Sequence, residues 1–126
     1  MNLVAQVLAV MEGLSLIVVG VLESFFYRDM RFHSIFRIAE GEQAAVRLWV
    51  VNVGFYNILI GLGALIGVLL INLGDAAAGR ALVFFVCGMH VILGPILAVT
   101  EPKLWRNAVG EFVLPLLVIV VALVWS

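Results

Sequence analysis

Charge is what this sequence has least of. Seven Lys or Arg and eight Asp or Glu make up 12% of 126 residues, roughly half the share found in a typical soluble domain. That scarcity excludes a hydrated globule, because too few polar side chains remain to cover one. The formal net charge of −1 excludes a global basic field that would gather nucleic acid. One cysteine, Cys87, excludes an intrachain disulfide and a C-x-x-C redox pair, and so the four-helix membrane oxidoreductases that pass electrons through paired thiols. Cys87 stands among Phe85, Val86 and Gly88, the surroundings of a buried, inert thiol. A cleavable leader is not expected either. The first apolar stretch has no basic residues before it, and Glu12 and Glu23 interrupt it, so it reads as a retained span.

What the chain does have is apolar length. It is 65% hydrophobic with a mean hydropathy of +1.24, so the solvent for most of its surface is lipid. Four apolar segments can be drawn, over residues 3–26, 44–73, 80–99 and 107–125. Each approaches or exceeds the ~20 residues that cross a bilayer core as a helix. The alternating segments of about ten residues that mark membrane strands are missing. In lipid the backbone must satisfy its own hydrogen bonds, which leaves helices. Tight links at 74–79 and 100–103 make neighbouring helices antiparallel. The expected fold is therefore all-α: a polytopic membrane protein, an antiparallel bundle of four transmembrane helices forming a single domain over 1–126.

Smaller signals refine that picture. Pro102 should end the third helix and Asn107 should cap the fourth. The longer linker, 27–43, carries Phe32, Ile35 and Phe36 at helical spacing beside Arg31 and Arg37, which fits a short interfacial helix or an irregular loop. Arg28, Arg31, Arg37 and Arg47 flank the first connection, Lys103 and Arg106 the third, and only Arg80 the second. The positive-inside rule then places the first and third connections in the cytoplasm and both termini outside. Trp49, Trp105 and Trp125 fall near span ends, where interfacial aromatics belong.

Function in such a chain is read from the polar exceptions, because an ionisable group in hydrocarbon costs at least ~2.5 kcal/mol. The exceptions are Glu12, Glu23, Asn52, Asn57, His90 and Glu111, with Tyr56 beside the amides. Glu12 and Glu23 are close to three helical turns apart and share one face. Residue depths place Glu12, Asn57 and His90 near mid-membrane, and Glu23, Asn52 and Glu111 in the cytoplasmic half, as two polar layers. Interhelical glue is the plain alternative, above all for Asn52 and Asn57. Glu23 and Glu111 could instead snorkel or pair with Arg28 or Arg106. Glu12 and His90 lie too deep for that, and could share a proton. Neither a metal nor a cofactor is expected. His90 with scattered carboxylates lacks the clustered pattern of a zinc site, and His33 belongs to the linker. Gly63-x-x-x-Gly67 offers a close-contact stripe, while Pro95 and Pro115 should bend their helices near His90 and Glu111.

These residues also carry a resemblance. Met11-Glu12-Gly13, Leu22-Glu23-Ser24-Phe25-Phe26-Tyr27, the run Asn52-Val53-Gly54-Phe55-Tyr56-Asn57, and Glu111 followed by Pro115 resemble a family of small bacterial integral membrane proteins, the domain of unknown function numbered thirteen hundred and four. Gly13 and Tyr27 depart from its pattern, standing where histidine and tryptophan are usual. The resemblance implies four helices with a shared polar interior, in the bacterial cytoplasmic (inner) membrane, and implies no activity. The leading expectation is a non-enzymatic protein with a polar intramembrane site for a small-molecule solute, lined by Glu12, Glu23, Asn52, Tyr56, Asn57, His90 and Glu111. Alternatives are a proton-coupled efflux transporter, a structural accessory subunit and, last, an enzyme on a hydrophobic substrate using Glu12 or His90. Membrane lipids are the expected surroundings, nucleic acid is not a partner, and a homo-oligomer is left open.

Overall fold

The computed structural model describes residues 1–29 and 43–125. Four helices account for nearly all of them: α1 (Leu3–Phe25), α2 (Gln43–Leu73), α3 (Ala76–Thr100) and α4 (Trp105–Val124). A 3-10 turn, Pro102–Leu104, leads into α4. All four are long and apolar enough to cross a membrane, and no strand occurs among the described residues. Packing runs α1–α2–α3–α4 and back to α1, whereas α1 and α3 meet only narrowly. The chain is a four-helix bundle in the order that short antiparallel links impose.

Two helix starts differ from expectation, each for a local reason. α3 begins at Ala76 rather than near residue 80, because the Asp75 carboxylate accepts from the Ala78 amide at 3.0 Å. That cap turns three consecutive alanines, the best helix formers, into a first turn. α4 begins at Trp105, ahead of Asn107, because the 3-10 turn opened by Pro102 already supplies helical backbone. Asn107 is thus inside the helix, and Leu104 holds the cap position without a side-chain bond. α3 and α4 run on through Pro95 and Pro115. The expected interfacial helix at 32–36 and His33 lie outside the described residues.

Glycine sets the spacing between helices. Along α1–α2, Gly13 faces the Gly61 carbonyl and Gly20 faces that of Gly54. The two contacts are a heptad apart on both helices, the repeat of antiparallel left-handed packing. Ser24 Oγ, beside Gly54, donates to the Val51 carbonyl at 3.0 Å. Near the other end Asn72 Nδ2 donates to Gln6 Oε1 at 2.7 Å. Gly67 does meet a neighbour, the Gly79 carbonyl of α3, but Gly63 has only Val86 near it and is not part of a close stripe. Between α3 and α4, Gly94 packs on Phe112 and the Ala108 carbonyl.

One end of the bundle is solid. Ala9, Val83, Cys87 and Val118 form a fully enclosed cluster drawn from α1, α3 and α4. Asn2 seals that end: its Oδ1 accepts from the Ala5 amide, capping α1, and its Nδ2 donates to the Val121 and Trp125 carbonyls of α4. Outward positions are large and apolar (Leu48, Phe85 and Val99 among the most exposed), as a lipid-facing surface requires.

Candidate functional site

The other half of the bundle holds a cleft of about 870 Å³ lined by all four helices, within the ~300–1,000 Å³ of typical small-molecule sites. Helical periodicity builds its wall. α1 contributes Glu12, Ser15, Val19 and Glu23; α2 contributes Trp49, Val53 and Asn57. α3 contributes His90, Leu93, Leu97 and Thr100; α4 contributes Asn107, Gly110, Glu111 and Leu114. Each set recurs at three, four or seven residues, the stripe of one helix face. The cleft runs from Glu12 and His90, above the solid core, to Thr100 and Glu101 at the end of α3. His90 to Thr100 is about 15 Å at helical rise.

Five of the seven expected site residues are in that wall: Glu12, Glu23, Asn57, His90 and Glu111. Asn52 and Tyr56 are not. Asn52 is exposed and donates to the Leu48 carbonyl of its own helix at 2.7 Å. Tyr56 is 61% exposed on the outer face of α2. A helix that carries Asn57 inward points residues one and five positions earlier elsewhere, since a turn takes 3.6 residues.

Asn57 and Glu23, which depth assigns to different layers, meet. Asn57 Nδ2 donates to Glu23 Oε1 at 2.6 Å, joining α2 to α1. Glu111 on α4 lies within electrostatic reach of Glu12, Glu23 and His90. Glu12 is 3% exposed and its side chain has no hydrogen-bond partner among the described residues. His90 is 2% exposed, and its Nδ1 lies 2.9 Å from the Val86 carbonyl. A carbonyl oxygen only accepts, so Nδ1 carries the proton and Nε2 is left for the cleft.

Among the described residues, pairing with Arg28 or Arg106 does not account for Glu23 and Glu111. Arg28 Nε donates to the Tyr27 hydroxyl at 2.9 Å and its guanidinium lies over that ring. Arg106 stacks over Trp105. Among the described residues neither reaches Glu23 or Glu111, and no group of three or more His, Cys, Asp and Glu side chains could hold a metal ion. Gly13 faces Gly61 and not the cleft; a Cβ there would stand 2.9 Å from the Gly61 carbonyl.

Sequence reasoning missed Ser15, Trp49, Thr100, Glu101, Asn107 and Gly110 as cleft residues. The signal was available in part. Extending the Glu12 and His90 faces by three, seven and ten or eleven positions reaches Ser15, Thr100 and Glu101. No curated protein and no solved structure matches the chain. A family model described as a protein of unknown function (DUF1304) matches residues 10–123.

Proposed function

We propose that this chain, which belongs to the DUF1304 family of proteins of unknown function, is a small multi-pass membrane protein that binds or conducts a small solute through its polar cleft. The observation that carries this reading is a cleft onto which two largely buried side chains open, Glu12 and His90, whose carboxyl and Nε2 have no side-chain partner among the described residues. Polar groups at membrane depth are costly when unmatched, and a ligand is the partner that would match them. The cleft runs to the end of the bundle where Arg28, Arg47, Lys103 and Arg106 flank the first and third connections, and in sequence Arg31 and Arg37 belong to the first of these. The positive-inside rule therefore supports a cytoplasmic mouth, with both termini outside, in the bacterial inner membrane.

Gly110 makes the reading testable. It lines the cleft, and a Cβ built there meets nothing within 4 Å. Gly110→Trp should fill the cleft while the bundle folds normally. In native mass spectrometry from mild detergent, wild type should carry a discrete small-molecule adduct that Gly110→Trp and Glu12→Gln both lose. Identical adduct patterns in all three proteins would sink the reading.

Proton-coupled efflux is the second reading. It is favoured by the grouping of Glu12, Glu111 and His90 at the closed end of the cleft, where solute and proton could compete for one carboxyl. In proteoliposomes, substrate-driven proton movement that disappears in Glu12→Gln would support it. Solute flux indifferent to a pH gradient would remove it.

A further inference from the structure

The cleft is rich in acids. Glu12, Glu23, Glu101 and Glu111 line it beside His90, and among the described residues no lysine or arginine does. Of the described guanidiniums, Arg28 lies over Tyr27 and Arg106 over Trp105. Asn57 supplies one hydrogen bond, to Glu23. Glu12 is nine-tenths buried and has no hydrogen-bond partner among the described residues, and His90 turns an unengaged Nε2 to the same space. A carboxylate held away from water without a counter-ion is destabilising, and a cation paired to it offsets part of that cost.

What kind of cation fits follows from the rest of the wall. Leu16, Val19, Leu93, Leu97 and Leu114 separate the acids. A bare metal ion needs several donors converging at ~2.0–2.6 Å, and no such group exists among the described residues. An ammonium needs only one or two carboxylates and hydrocarbon around its carbon body. From the unpartnered Glu12, the acid-rich lining among the described residues and the aliphatic wall, we infer that the cleft takes a small organic cation, an amine with a compact apolar body. Its ammonium sits against Glu12 and Glu111, and its body rests on the leucines. This inference rests on the solute-binding reading and names its ligand class.

Trp49 lines the cleft and supplies the readout. With Trp105→Phe and Trp125→Phe, Trp49 is the single tryptophan. Its emission is followed in maltoside micelles at neutral pH against three probes of one shape: cyclohexylmethylamine, cyclohexylmethanol and cyclohexanecarboxylate. The amine should bind saturably, the alcohol about tenfold more weakly, and the carboxylate not at all. Glu111→Gln and Glu12→Gln, each checked for retained helicity, should weaken the amine about tenfold and leave the alcohol unchanged. Gly110→Phe, which adds bulk without a second tryptophan, should abolish binding of both. If alcohol and amine bind alike and Gly110→Phe blocks both, the cation inference falls and the solute-binding reading stands. If no probe saturates, or Gly110→Phe changes nothing, both fall.

Discussion

Asn57 on α2 holds the carboxyl of Glu23 on α1, its Nδ2 donating to Oε1 at 2.6 Å across the closest helix pair of the bundle. The bond is both glue and site, because both residues also line the cleft. Replacing Asn57 with leucine removes the donor and leaves a carboxyl without its partner. The loss should be about 1 kcal/mol, the order measured for interhelical bonds in membranes. Glu23→Gln, which keeps an accepting oxygen, should cost less. Unfolding in mixed micelles checks the order; equal stability of wild type and Asn57→Leu would show that the bond does not contribute.

Glycine substitutions should divide by what lies opposite. At Gly20, Gly54 and Gly79 a Cβ meets a backbone or side-chain oxygen of the facing helix, and that helix must move. Alanine at any of the three should destabilise by ~1–3 kcal/mol, as overpacking does. At Gly88 and Gly110 the space is open, and alanine should be neutral or stabilising by up to ~1 kcal/mol through helix propensity. Thermal unfolding of the five variants checks the split.

Asn2 joins two helix ends, capping α1 and receiving the last carbonyls of α4. Asn2→Ala should cost ~0.5–2 kcal/mol, as lost caps do. Amide exchange should rise in two places at once, around Ala5 and around Trp125. Faster exchange at Ala5 alone would mean that the link to α4 contributes nothing.

Cys87 is fully buried, so the wild-type chain should be inert to a membrane-impermeant maleimide and can serve as its own labelling background. If the first and third connections are cytoplasmic, as proposed, Ala77→Cys should label in intact cells and Lys103→Cys only after lysis. The reverse pattern would invert the proposed orientation.

The architecture was legible because lipid leaves few choices: four long apolar runs with tight links become an antiparallel bundle. Helix ends were less legible, since Asp75 and Pro102 act through local backbone geometry that hydropathy does not register. Polarity and depth together pick out five residues that line the cleft, Glu12, Glu23, Asn57, His90 and Glu111. Asn52 and Tyr56 face elsewhere, because closeness along a helix is not closeness around it. The glycine contacts were hidden for another reason. Twelve glycines offer many stripes, and only three-dimensional register selects Gly13 with Gly61 and Gly20 with Gly54 over Gly63 with Gly67.

Those two contacts also explain why there is room for a cleft at all. Four helices of equal thickness cannot all touch their neighbours closely along their whole length. Where α1 leans into α2, the slack is displaced to the far side of α1, toward α4. The cleft is then a remainder, set by where glycines fall on the opposite seam. Such a cavity can be resized over evolutionary time by shifting a glycine on α1 or α2, with every residue that faces the cleft left as it is.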